Sequence, residues 1–166
     1  MHSSISWWAA KARQFRSHVR ARVAADERSA LMDWLSPAQI ALFDSMHVAD
    51  RRHGLDVVRT LRADGVTDDE VLLAGLLHDA GKGATGVLPR VAFSLGQAYG
   101  SWVWRVAGVV PGWGEALRRL HGHAESSAVL AAEAGCSART VELIRHQEAP
   151  VDPVDGRALQ LADEAN

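Results

Sequence analysis

Apolar residues recur at intervals of three and four along almost the whole chain, and alternating runs bounded by hairpin turns are missing. A 3.6-residue period builds amphipathic helices, whereas a pleated strand would turn half of the same apolar set to water; the pattern therefore predicts an all-α protein. Local chemistry marks the ends of the helices. Ser36-Pro37-Ala38-Gln39 offers an N-cap, a proline at the first helical position and a glutamine able to bond back to the cap. Thr67-Asp68-Asp69-Glu70 reads as a second capping box with its acids on the positive end of the helix dipole, and Asp152-Pro153 opens a last helix. Gly65, Gly81 and Gly135 each follow a periodic segment and suit the left-handed residue that closes a helix. These signals predict helices near 4–23, 26–33, 37–46, 48–64, 68–79, 88–109, 112–119, 122–134, 138–147 and 153–164.

With 166 residues, 48% of them hydrophobic, the chain can bury one sizeable core and not two. The expected organisation is a helical extension over 1–35 packed on a single helical bundle over 36–166. Before Asp26 there is no acid, while Lys11, Arg13, Arg16, Arg20 and Arg22 surround Trp7, Trp8, Phe15 and Val19. That composition suits a basic amphipathic helix lying on the domain, and overlaps with that of an organelle transit peptide. Eighteen basic and twenty acidic residues give a net charge of -2, so no global field draws the chain to nucleic acid or to an anionic membrane, and recognition is local. Cys136, the only cysteine, excludes an internal disulfide framework and a thiolate metal site, and fits a reducing, cytoplasmic setting. The uncharged stretch from Val91 to Trp104 is shorter than the roughly 20 residues that a bilayer requires, and is expected to be a core helix rather than a membrane span.

Chemistry concentrates in Leu76-Leu77-His78-Asp79-Ala80-Gly81-Lys82, where a His-Asp pair ends an apolar helical run and a lysine follows. Helical phase tests which other residues face inward. His53 shares a stripe with Val57 and Leu61, His123 with Ser127, Leu130 and Ala134, Asp163 with Leu159 and Gly156, and His146 stands one turn after Leu143. Ionisable groups on apolar stripes must be paired, neutral or metal-bound. Imidazole and carboxylate ligands without thiolate suit one or two divalent ions drawn from Fe, Mn, Zn, Co or Mg. The order permits His53, His78 and Asp163 on one ion, His123 and His146 on another, and Asp79 as the bridge between them. Two ions about 3.5–4 Å apart can clamp both oxygens of an in-line displacement at phosphorus, with Lys82 neutralising a phosphate oxygen. His121 lies two residues from His123 and diverges from it by about 200°, so it is left outside the ligand set. His47 receives no role. The six tryptophans are read as packing residues, and no nucleic-acid partner is expected.

The ordered set Asp50-Arg51-Arg52-His53, Leu76 to Lys82, His123-Ala124-Glu125, Ile144-Arg145-His146-Gln147-Glu148 and Leu161-Ala162-Asp163 resembles the HD superfamily of metal-dependent phosphohydrolases over about residues 40 to 166. The resemblance implies an all-helical domain whose inner helices carry the ligands, and hydrolysis of a phosphate ester, often a nucleotide or cyclic dinucleotide, by a metal-activated hydroxide. Asp79 and Lys82 would be the catalytic residues and a small phosphorylated molecule the partner. In the cyclic-dinucleotide branch a His-His-Glu element is usual; here it reads His146-Gln147-Glu148, and the Gly-Tyr-Pro element of that branch is absent. The assignment is thus to a small unclassified hydrolase rather than to a cyclic-dinucleotide phosphodiesterase. Gln147 also motivates a second expectation, a non-catalytic nucleotide-sensing or partner-binding domain with a structural or regulatory metal.

Overall fold

The computed structural model describes residues 21–83, 85 and 87–166. Among these residues the chain forms α1 (Ala25–Leu31), α2 (Pro37–Ser45), α3 (Val48–Ala63), α4 (Asp69–Leu77), a 3-10 turn (Ala80–Lys82), α5 (Val87–Tyr99), α6 (Trp102–Ala107), α7 (Trp113–His121), α8 (His123–Glu133), α9 (Ala138–Arg145) and α10 (Asp155–Ala165), with no strand. The all-α expectation holds. Most of the expected helix at 4–23 lies outside the described residues, and residues 21–24 have no helix.

Helix α4 is the axis. Every residue from Val71 to Leu77 is buried, and a helix apolar all round has to be enclosed by others. Helices α2, α3, α9 and α10 enclose it, burying Phe43, Val57, Leu61, Ile144 and Leu159 against Leu76 and Leu77. Contact with α3 is close because both helices carry glycine at the crossing. A methyl group on Gly54 would stand 2.4 Å from the Leu76 carbonyl oxygen, and one on Gly75 would stand 2.8 Å from the Leu61 side chain. The amino-terminal elements are tied on by charge as well as by Leu31 and Leu35: Arg28 pairs with Asp44, and Arg52 of α3 binds both Glu27 and Asp56.

Ser36 and Gln39 form the reciprocal capping box that the sequence announces. At α4 the cap is Asp68 rather than Thr67, its carboxylate accepting the Glu70 N–H at 2.9 Å. Asp152 accepts the N–H groups of Val154 and Asp155, so the last helix begins two residues after Pro153. Gly65 and Gly135 adopt positive φ as expected; Gly81 does not.

The largest departure is at 88–109. One straight helix would hold Phe93 and Trp104 about 16 Å apart along its axis. Instead the chain breaks at Gly100, whose φ of 103° is open to glycine, and α6 folds back on α5. Trp104 then stacks on Phe93 with centroids 5.7 Å apart, and its indole N–H donates to the Phe93 carbonyl. Ala92, Ala107 and Leu117 complete this second, small apolar cluster, to which Trp113, the first residue of α7, also contributes. Among the described residues no helix is long and apolar enough to cross a membrane.

Replacing Gly54 by Ala is expected to destabilise the fold by about 1–3 kcal/mol, because the added methyl meets backbone that cannot swing aside. This should hold although alanine is the better helix former by about 1 kcal/mol. Gly75→Ala, which meets only side-chain ends, should cost less. Urea midpoints of the two variants measure the difference.

Candidate metal centre

The buried end of α4 delivers the His-Asp pair to the middle of the bundle. His78 caps the helix, and its Nδ1–H donates to the carbonyl of Gly75, one turn back, at 2.9 Å. That bond fixes the tautomer and leaves the Nε2 lone pair facing the site. His53 arrives from α3 with its ring 5.2 Å from that of His78 and edge-on to it. From α10, Asp163 sets Oδ1 2.7 Å from His53 Nε2 and 3.4 Å from His78 Nε2. Asp79 Oδ1 stands 3.5 Å from His78 Nε2 and 3.6 Å from His123 Nε2.

Two of these atoms have no hydrogen-bond partner although they are fully buried: His78 Nε2 and Asp79 Oδ1. An orphaned buried polar atom costs about 1–3 kcal/mol, and two facing each other beyond hydrogen-bond range call for a shared partner. A divalent ion meets that requirement. Donors bound at about 2.0–2.2 Å to one ion stand about 3.0–3.5 Å from each other, which is the spacing of His78 Nε2 to Asp79 and to Asp163. His53, His78 and Asp163 offer three donor atoms that all lie within 4.8 Å of one another. Imidazole nitrogen with carboxylate oxygen is the donor chemistry of Fe, Mn, Zn or Co, and with more water of Mg.

Around this centre the charges are strongly coupled. Burial works against protonation of His78, but the Asp79 and Asp163 carboxylates override it and push the imidazole up to about 9. Burial would raise the Asp79 carboxyl; His78, Lys82, His53 and His123 together hold it well below the usual carboxylate range. Desolvation of Asp163 is likewise outweighed by His53 and His78, and its carboxyl is also held low. Burial and the nearby Lys82 draw His123 below its ordinary value, so its imidazole is neutral near pH 7. Lys82 donates from Nζ to Asp79 Oδ2 at 2.5 Å, and its side chain is only partly exposed.

The structure therefore brings together His53, His78, Asp79, Asp163 and Lys82, with His123 adjoining Asp79. It does not bring His146 to His123. Helix α9 ends at Arg145, and His146 occupies the C-cap with φ −102° and ψ 18°, off the helical stripe. Its ring lies 3.3 Å from Glu142 and lines a separate cavity of about 240 Å³ with Arg139, Pro150 and Asp152. The inward residue of this segment is Gln147, buried and donating from Nε2 to the His78 carbonyl at 3.0 Å. Gln147 thus holds the backbone of the His78-Asp79 turn in place.

Three further supports escaped the sequence reading. Gly81 is not a left-handed cap; it lets the 3-10 turn lie directly on α8, where a methyl group would stand 2.5 Å from the His123 carbonyl oxygen. Its N–H donates to the buried Ser127 hydroxyl at 2.8 Å. Asp50, beside the ligand-bearing turn of α3, is buried and receives a two-pronged contact from Arg90 of α5, which also bonds Thr85. Ser127 was visible as a member of the His123 stripe, but nothing local joins Arg90 to a carboxylate forty residues away. Comparison of the chain with protein-family models, curated proteins and solved structures found no match, so the reading of this centre stands on its geometry.

A group whose pKa in the folded chain exceeds its free value stabilises the fold fully below that free value and stops doing so as pH rises through the folded value. For His78 these limits are 6.5 and about 9. In chelator, melting experiments should show the metal-free protein losing stability across that interval. A bound ion must displace the His78 proton, so apparent metal affinity should rise over the same interval, with proton release measurable by calorimetry in buffers of different ionisation heat.

Proposed function

We propose that the chain is a divalent-metal-dependent phosphohydrolase of the HD type, acting on a phosphate ester and in the first instance on a small nucleotide. The observation that carries this reading is the pair of orphaned buried atoms, His78 Nε2 and Asp79 Oδ1, where three helices converge beside the Lys82 ammonium. A divalent ion held by His53, His78, Asp79 and Asp163 would supply Lewis-acid polarisation of a phosphoryl oxygen and a water of lowered pKa.

The remaining work falls to the chain. Gly75 keeps His78 in the tautomer with Nε2 free, and the Gln147 amide holds the backbone of the same residue. Asp79 divides its carboxylate, with Oδ1 turned toward His78 and His123 and Oδ2 toward Lys82. Lys82 can swing a compact positive charge onto a non-bridging phosphate oxygen without losing its tether to the helix end. His123, its Nδ1–H donating to the Leu120 carbonyl at 2.8 Å, keeps a neutral Nε2 toward the centre, where it can accept a proton or pass one to a leaving oxygen.

Elemental analysis combined with a panel of phosphate monoesters and diesters tests this reading. Purified protein supplied with Mn, Fe or Co should retain stoichiometric metal and turn over at least one class. Asp79→Ala should lose both properties. Lys82→Met should keep the metal while kcat/KM falls about 10²-fold, the loss typical of one contact to transition-state charge. His146→Ala should change neither. Protein that holds no metal would overturn the proposal, and metal and nucleotide binding without any turnover would leave a sensing domain in its place.

A further inference from the structure

The α5–α6 hairpin presents apolar side chains outward as well as inward. Among the described residues, seven of the twelve large apolar side chains that are exposed lie between Leu88 and Val110. Trp102, Val106 and Val109 follow one another at four and three residues, so they form one stripe along α6 that continues into the turn beyond it. Their exposures are 56%, 61% and 81%, and Tyr99, at 51%, adjoins them through the bond from the Trp102 indole N–H to its carbonyl. A ridge of this size on a monomer marks a contact surface.

Charge indicates what it contacts. No acid lies between Lys82 and Glu115, nor anywhere before Asp26. Within the acid-free stretch 83–114 the basic residues are Arg90, which is paired with Asp50, and Arg105. Arg105 sits within the ridge, exposed, with no carboxylate partner among the described residues. A second copy of the chain would bring another unpaired Arg105 to the contact and no acid to meet it. An anionic lipid surface supplies negative headgroups for the arginine and an apolar boundary for the stripe. Trp102 suits that boundary, since its one polar hydrogen is already bonded within the chain and the ring can leave water without an unsatisfied donor.

We propose that the α5–α6 ridge docks the protein on an anionic membrane surface, with Trp102, Val106 and Val109 entering the headgroup–acyl boundary and Arg105 meeting anionic headgroups. The proposal is independent of the metal centre and does not rest on phosphohydrolase activity.

Sedimentation of the full chain with phosphatidylcholine vesicles, with and without phosphatidylglycerol, tests it. Binding should require phosphatidylglycerol and weaken with salt. The double variant Val106→Asp, Val109→Asp should bind such vesicles at least about fivefold less, since two apolar anchors are replaced by charges of the lipid's own sign. Arg105→Glu should weaken binding in the same direction, and as an exposed helical substitution it keeps the test available if the double variant misfolds. Vesicle binding by the variants equal to that of the parent chain would overturn the proposal. So would a parent chain that is dimeric, fails to bind vesicles and becomes monomeric on substitution, which would assign the ridge to self-association.

Discussion

The centre depends on a helix that ends inside the protein. Nine residues of α4, buried along nearly their whole length, bring a carbonyl terminus into the interior of the bundle, and such an end carries partial negative charge and unpaired acceptors. The chain answers with local donors: the His78 ring bonds the Gly75 carbonyl, and the Gln147 amide bonds the His78 carbonyl. Two carboxylates, Asp79 and Asp163, then add negative charge where the dipole already favours cations. Positive charge from Lys82, a protonated imidazole or a divalent ion is what makes the arrangement tolerable, and that requirement links the packing of α4 to the chemistry of the site.

Periodicity made the helices legible because each has to bury a stripe, and it correctly turned His53 and Asp163 toward the centre: both lie on stripes whose other members, Val57, Leu61 and Leu159, are core residues. His146 was misread for a reason that periodicity cannot supply. The last residue of a helix is aimed by its cap, and the C-cap conformation at His146 rotates that ring away while bringing the next residue, Gln147, inward. Gly81 illustrates the same limit. A glycine after a helix is compatible with a left-handed turn or with close approach of another backbone, and the deciding contact comes from α8, more than forty residues along the chain. At Gly100 the competing principle was tertiary: the stacking of Trp104 on Phe93 outweighs the continuity of an otherwise unbroken helical stretch.

The position of Gln147 bears on how many ions the centre takes. A second ion beside Asp79 would need ligands from the α8–α9 side, where His123 is available and His146 is not. Gln147 donates from its amide nitrogen to the His78 carbonyl, so any contact it made to an ion would be through its neutral amide oxygen. On that side Glu148, with Oε1 3.8 Å from His123 Nδ1, is the carboxylate besides Asp79 that adjoins His123. The donor atoms that lie within 4.8 Å of one another are those of His53, His78 and Asp163, so on the proposed function the first ion would be held there.

On the proposed function, an ion with ligands drawn from three helices would also be a structural cross-link. His53, Asp163 and the His78-Asp79 turn are separated by long stretches of chain, and their elements otherwise meet through apolar packing. His53 and Asp163 pair directly at 2.7 Å, while His78 Nε2 and Asp79 Oδ1 have no hydrogen-bond partner. A ligand that binds only the folded arrangement stabilises it by mass action, and here it would do so by satisfying atoms that the protein alone leaves without partners. The cluster is therefore assembled by packing: α4 is immobilised by its own burial, Gly54 and Gly81 permit the backbone approaches that set the spacing, and Asp163 stands near the end of the last helix.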